Sequence, residues 1–197
     1  MSHPFDFHEV VQALTPVIDT LEQLSIPYCI GGSVASSVFG QERRTNDVDL
    51  IAGIEAHHVV AFTQQLQTDY YLEPTAIQRA IQAHSSFNVI YTLTMYKVDI
   101  FPWKPGPFAQ QQQLRARSAS LEPGGRQFLI ASPEDSVLAK INWWKIGGKQ
   151  STRQWNDIIG ILQRQSSIDS TYLRQAAPLL GVSTEVEEAL RAAGIIP

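Results

Sequence analysis

A chain of 197 residues with 44% hydrophobic and 17% charged side chains has an ordinary globular balance: one domain, or a domain with a helical appendage. Its single cysteine, Cys29, excludes an intrachain disulfide, and no apolar run is long enough to span a bilayer. The net charge of −4 conceals a basic middle, since residues 97–153 carry nine basic and four acidic side chains against three and ten in residues 1–96.

Residues 1–9 lack the basic start and apolar stretch of a signal peptide, and a cytoplasmic protein is expected. Residues 6–24 read as an amphipathic helix, with Val10, Val11, Leu14, Val17, Ile18 and Leu21 at helical spacing. Asp6 and Glu9 resemble a capping box, and Pro16 is a point of kinking or splitting. A short buried strand over 26–30 follows, carrying Cys29 as a small buried side chain, then the break at Gly31-Gly32-Ser33 and a short helix over 34–39. A second strand covers 47–52, a helix 55–67, a short strand 70–72 and a helix 75–82.

Two β-branched and aromatic runs, 87–91 and 96–101, suggest a hairpin. Three prolines make 102–107 a loop, and Gln110 to Gln113 is a short glutamine patch. A second hairpin is expected over 118–130 around Gly124-Gly125. Ser132-Pro133-Glu134-Asp135 starts a helix, with an N-cap serine, proline in the first turn and acids next. That helix carries Leu138, Ile141 and Trp144 and ends at Gly147-Gly148; two or three more helices fill 153–193. Strands mixed with helices, then helices alone, indicate an α/β or α+β core of residues 1–131 with a helical C-terminal region of 132–197.

Three pieces carry chemistry. Gly31-Gly32-Ser33, between a strand and a helix, allows a sharp turn and close approach of a ligand, and the first amides of the helix favour an anion. A plain strand-to-helix turn reads the same way. In Asp47-Val48-Asp49-Leu50 the strand period of two puts both carboxylates on one side and Val48 and Leu50 on the core side. Like charges this close call for a hard cation with oxygen ligands; a polar strand end is the alternative. Asp99, flanked by Val98 and Ile100, needs a partner. Lys97 or Arg115 could form an ion pair with it, or it could join Asp47 and Asp49 at a metal. The histidines, including the pair His57 and His58, show no metal-ligand spacing.

Gly31-Gly32-Ser33, thirteen residues, Asp47-Val48-Asp49-Leu50 and a later strand acid together resemble the signature of the DNA polymerase β-like nucleotidyltransferases. Arg43-x-Thr45-x-Asp47-x-Asp49, Ser132-Pro133-Glu134-Asp135, Lys140 and Asp157 are similar to the minimal, toxin-type (abortive-infection-like) members. The resemblance implies a mixed sheet flanked by helices and magnesium or manganese on Asp47, Asp49 and Asp99. It implies a nucleoside triphosphate at Gly31, Gly32, Ser33, Arg43 and Lys140, and transfer of a nucleoside monophosphate to a hydroxyl with release of pyrophosphate. Asp99 would help hold a second magnesium or act as base. The acceptor is open: a small molecule, a protein or RNA. Read from their own surroundings, Glu134 and Asp135 cap their helix, Lys140 faces the nucleotide or solvent, and Asp157 pairs with Lys140 or Arg153. Arg43 and Arg44 could also be surface residues of a loop. A non-catalytic nucleotide- or protein-binding module of the same fold, an antitoxin-like regulator with a protein partner, is the alternative function, and a hydrolase using the same acids is a third.

Overall fold

The computed structural model describes residues 7–196. The expected Asp6–Glu9 capping box therefore lies partly outside the described residues. Helix α1 (His8–Gln23) runs unbroken through Pro16, and Thr20 Oγ1 donates to the Pro16 carbonyl at 2.9 Å. Val10, Leu14, Val17, Ile18 and Leu21 are its buried stripe.

The chain continues through β1 (Tyr28–Ile30), α2 (Gly32–Phe39), β2 (Asp47–Ala52), a 3₁₀ turn (Ala56–His58), α3 (Val59–Leu66), β3 (Tyr70–Tyr71) and α4 (Pro74–Gln82). The helix expected over 55–67 is thus a 3₁₀ turn followed by two turns of α-helix, with Glu55 and His58 closing a reciprocal cap at the junction. Next come β4 (Phe87–Tyr91), β5 (Tyr96–Pro102), α5 (Pro107–Arg115), β6 (Arg117–Ser120) and β7 (Gln127–Ile130). The expected 102–107 loop narrows to the residues between β5 and α5. Helix α5 was not anticipated: its glutamine run carries no apolar periodicity, and only Gly106-Pro107 at its start signals it.

The seven strands form one mixed sheet in the order β3-β4-β5-β2-β1-β7-β6. β2 lies in the middle, antiparallel to β1 and parallel to β5. Its side chains alternate: Val48, Leu50 and Ala52 are fully buried, while Asp47, Asp49 and Ile51 face the partly open side. β5 repeats this, with Val98 and Ile100 buried and Lys97, Asp99 and Phe101 on the open side. The buried side packs with α1 and α3 into a cluster that includes Leu14, Ile18, Leu50, Phe62 and Ile100. Each such side chain removed from water contributes about 1.5–3 kcal/mol, which fixes the strand register and so the facing of the acids.

The C-terminal helices are α6 (Pro133–Ile146), α7 (Thr152–Arg164), α8 (Ser170–Leu180) and α9 (Ser183–Ala192). They gather around a second cluster that includes Leu138, Ile141, Ile158, Ile161 and Leu173, and Phe39 of α2 packs against both clusters. Ser132 Oγ accepts from the Asp135 amide at 3.1 Å, and Pro133 opens α6 as expected. Glu134 and Asp135 do more than cap. Glu134 is 1% exposed and accepts from Arg115, Arg117 and the Asp169 amide. Asp135, fully buried, accepts from Ser132 and from the Tyr172 hydroxyl. These carboxylates fasten α8 and the α5–β6 corner to the start of α6. No helix among the described residues is long and apolar enough to cross a membrane.

Candidate functional site

Parallel pairing of β2 with β5 sets Asp49 beside Asp99 and Asp47 beside Lys97. The three acids named by the sequence therefore reach the same face of the sheet from strands fifty positions apart. Thr45 Oγ1 donates to Asp47 Oδ1 at 2.9 Å, and the Tyr96 hydroxyl donates to the Thr45 carbonyl at 3.0 Å. This holds the entry to β2 and the first carboxylate in place. The alternation of β5 buries Tyr96, but its contact with Thr45 is not readable from the sequence.

Asp49 stands at the crowded centre. Burial first, then the neighbouring charges of Asp47 and Asp99, push its carboxyl up to about 6, against a weaker opposing pull from Lys140 and Lys97. Its backbone carbonyl accepts from the Gly31 amide at 2.8 Å. Its side chain lies over Gly32, where a Cβ would come within 1.6 Å of Asp49 Oδ2. Gly32 also has φ +54, a left-handed conformation that side chains disfavour. The glycine is thus demanded by the approach of Asp49 as well as by the turn. The amides of Gly32, Ser33 and Val34 precede the first helical hydrogen bond of α2, which runs from Ala35 to the Gly31 carbonyl.

Asp99 pairs with Lys97, whose Nζ lies 2.7 Å from Asp99 Oδ2. The bond to Asp99 raises the Lys97 ammonium above its ordinary value, more than burial lowers it. Arg115, the other expected partner, is engaged instead with Glu134 and Asp135 and sits over the Tyr172 ring. Among the described residues no three of His, Cys, Asp or Glu form a preformed metal-binding group. The His57 and His58 rings lie against each other, tilted by 44°, at the 3₁₀ turn beside Glu55.

Arg43 is neither a free surface side chain nor a lone phosphate ligand. Its Nε and Nη2 donate to the two oxygens of Asp157, each at 3.1 Å, and Nη2 also reaches Ser33 Oγ. Arg44 is exposed. Lys140, only 8% exposed, donates to Asp157 Oδ2 at 2.8 Å. Asp157 therefore pairs with Lys140 and Arg43, not with Arg153. Burial depresses the Lys140 ammonium, with Asp157 opposing. Burial likewise works to raise the Asp157 carboxyl, but Arg43 and Lys140 outweigh it and hold the group below its usual value. A chain Ser33–Arg43–Asp157–Lys140, half-buried at Ser33 and Arg43 and buried at the other two, so connects the glycine turn to α6 and α7, with Lys140 in electrostatic reach of Asp49.

The donor set suits a hard cation: Asp47, Asp49 and Asp99 offer carboxylate oxygens on one sheet face, and burial together with the neighbouring charges raises the central carboxyl, a cost that a cation there would relieve. Beside it lie the first-turn amides of α2, the Ser33 hydroxyl and, from α6, the buried Lys140. Such an arrangement can bind a polyphosphate at one end and polarise a hydroxyl at the other.

No protein-family model and no curated protein matches the chain by sequence. Solved structures match it in fold. The antibiotic-resistance factor ANT(2'')-Ia superposes with a TM-score of 0.57 at 12% identity, covering 93% of this chain and 97% of its own. An antigenic nucleotidyltransferase-like protein from Paracoccidioides brasiliensis gives 0.55 at 20% identity over 96% and 95%. The lincosamide antibiotic adenylyltransferase LnuA, with lincomycin bound, gives 0.51 at 16% identity over 77% and 96%. The chain has the α/β fold of these nucleotidyltransferases, as its sequence signature implied.

Proposed function

We propose that this chain is a nucleotidyltransferase that moves a nucleoside monophosphate from a nucleoside triphosphate to a hydroxyl acceptor and releases pyrophosphate. One observation carries the reading: Asp47, Asp49 and Asp99 share one sheet face, and Asp49 abuts the Gly31-Gly32-Ser33 turn at the start of α2. The core within residues 1–131 would supply these parts, and the helices of 132–197 would supply Lys140 and Asp157. A lone buried Cys29 suits a cytoplasmic setting.

Asp47 and Asp49 would hold magnesium or manganese, which supplies positive charge to the triphosphate oxygens and draws electron density off the reacting phosphorus. The amides of Gly32, Ser33 and Val34 face the phosphates. Because Arg43 donates to Ser33 Oγ, the Ser33 hydroxyl keeps its own proton to offer to a phosphate oxygen. Lys140, held by Asp157, adds fixed positive charge beside Asp49. Asp99 accepts the proton of the acceptor hydroxyl as its oxygen attacks the α-phosphorus. The bond from that phosphorus to the bridging oxygen breaks, and pyrophosphate leaves with the electron pair.

ANT(2'')-Ia has been solved with adenylyl-2''-tobramycin and LnuA with lincomycin. These support a hydroxyl-bearing small molecule as the first acceptor class and ATP as the first donor to examine. The test is incubation with each α-labelled nucleoside triphosphate, magnesium and fractionated cell extract. Label is expected in one fraction, lost when Asp47 and Asp49 are replaced by Asn. Triphosphate binding without transfer to any fraction would make the protein a binding module instead.

A further inference from the structure

The open face of the sheet carries a fixed cation that the transfer scheme above does not use. Lys97 stands two residues before Asp99 on β5, so both side chains leave the strand on the same side. Its Nζ is 2.7 Å from Asp99 Oδ2, and in register it is the neighbour of Asp47 across the parallel pair. The Lys97 side chain is 39% exposed and that of Asp99 18%, so the pair lies at the rim of the acidic site. A second divalent ion on Asp99 would have to bind a carboxylate whose Oδ2 Lys97 already holds, and even on the other oxygen it would sit close to an ammonium of like charge.

We propose that Lys97 is a tethered cation that takes the place of a second metal on Asp99, so that the site binds one divalent ion, on Asp47 and Asp49, rather than two. This rests on the nucleotidyltransferase reading and alters the expectation that all three acids hold metal. Lys97 is then a positioning residue. It fixes the Asp99 carboxylate at the sheet rim, toward the arriving acceptor, and keeps it out of the coordination sphere of the single ion. Asp99 is left with one oxygen uncommitted to Lys97, which is the atom available for the acceptor proton.

The experiment counts bound Mn²⁺ per chain by electron paramagnetic resonance, in the presence of a non-hydrolysable α,β-methylene triphosphate. Wild type is expected to hold one ion. Lys97→Met is expected to hold two, and adding Asp99→Asn to Lys97→Met should return the count to one. Lys97→Arg keeps the charge and should keep the count at one. Two ions in the wild type, or an unchanged count in Lys97→Met, would overturn the role of Lys97 while leaving the nucleotidyltransferase reading in place. No Mn²⁺ bound by wild type would overturn that reading itself. The partial exposure of Lys97 keeps Lys97→Met foldable, and a thermal melt of each variant verifies it.

Discussion

Arg43 and Asp157 lie 114 positions apart and meet through a two-pronged ion pair, with Nε on one carboxylate oxygen and Nη2 on the other at 3.1 Å. The same Arg43 touches Ser33, and the same Asp157 holds Lys140. One carboxylate on α7 thus sets two cations and, through one of them, the hydroxyl of the glycine turn.

Removing that carboxylate should be costly. Asp157→Ala leaves Lys140 buried beside Arg43 with no counter-charge, and breaking a buried pair from one side costs about 3–5 kcal/mol. Replacing the whole network, Arg43→Met and Lys140→Met with Asp157→Leu, should recover most of the loss. Urea unfolding of the three proteins measures this. Equal stability of Asp157→Ala and wild type would mean that the pair does not hold the helices to the core.

Gly32→Ala tests the contact between the turn and the acid strand. At φ +54 any side chain is strained, at a cost on the order of 1–3 kcal/mol. Here the added methyl also strikes the Asp49 carboxylate, so Mn²⁺ affinity should fall at least about tenfold, which is about 1.4 kcal/mol. Gly181 has a similar φ of +66 with open space around it. Gly181→Ala should therefore show the loss of stability without the loss of metal. Calorimetric titration of both variants separates the two effects, and unchanged Mn²⁺ binding in Gly32→Ala would refute the contact.

The raised Asp49 carboxyl makes the metal-free protein sensitive to pH. Its native value of about 6 lies above the usual 3.8, so the folded chain holds a proton that the unfolded chain has lost between those values. Its share of stability is fully present below about 4 and disappears as pH rises through 6. With chelator at pH 7.5, Asp49→Asn should therefore melt higher than wild type, by on the order of 1–3 kcal/mol, and the difference should close by pH 4. Magnesium at pH 7.5 should raise the wild-type melting temperature and leave Asp49→Asn little changed. Parallel melting curves for the two proteins across this range would rule out the electrostatic crowding.

Asp99→Asn should leave nucleotide affinity within about threefold and lower transfer by a factor on the order of 100 or more, the scale for an acid–base group. The measurement is a labelled-transfer rate at saturating triphosphate beside an equilibrium binding curve. If transfer persists at the wild-type rate, Asp99 takes no part. If activity falls only because the protein melts, and returns on cooling, then the Lys97–Asp99 pair is structural.

The acid strand was legible because alternation is a local code: Val48 and Leu50 must be buried, so Asp47 and Asp49 face the other way. Lys97 as a partner of Asp99 was legible for the same reason, two positions along one strand. The convergence of Arg43 on Asp157 was not, because no periodicity links a loop before β2 to a helix more than a hundred residues later. Glu134 and Asp135 misled in an instructive way. Their sequence carries an ordinary helix-start pattern, which is present, yet their burial against Arg115, Arg117 and Tyr172 depends on elements folding over them from both directions. Helix α5 escaped notice because four glutamines give no apolar face to detect.

The span between Arg43 and Asp157 also orders events in time. A ribosome adds about 5–20 residues per second, so the glycine turn, the acid strand and Arg43 emerge on the order of ten seconds before the carboxylate that secures Arg43. Until α7 arrives, nothing in the nascent core supplies that anchor, and Ser33 lacks its fixed partner. On the proposed function, competence to grip a triphosphate would be a late property of synthesis, and a chain stalled before residue 157 would carry all three acids of the sheet without the Arg43 anchor.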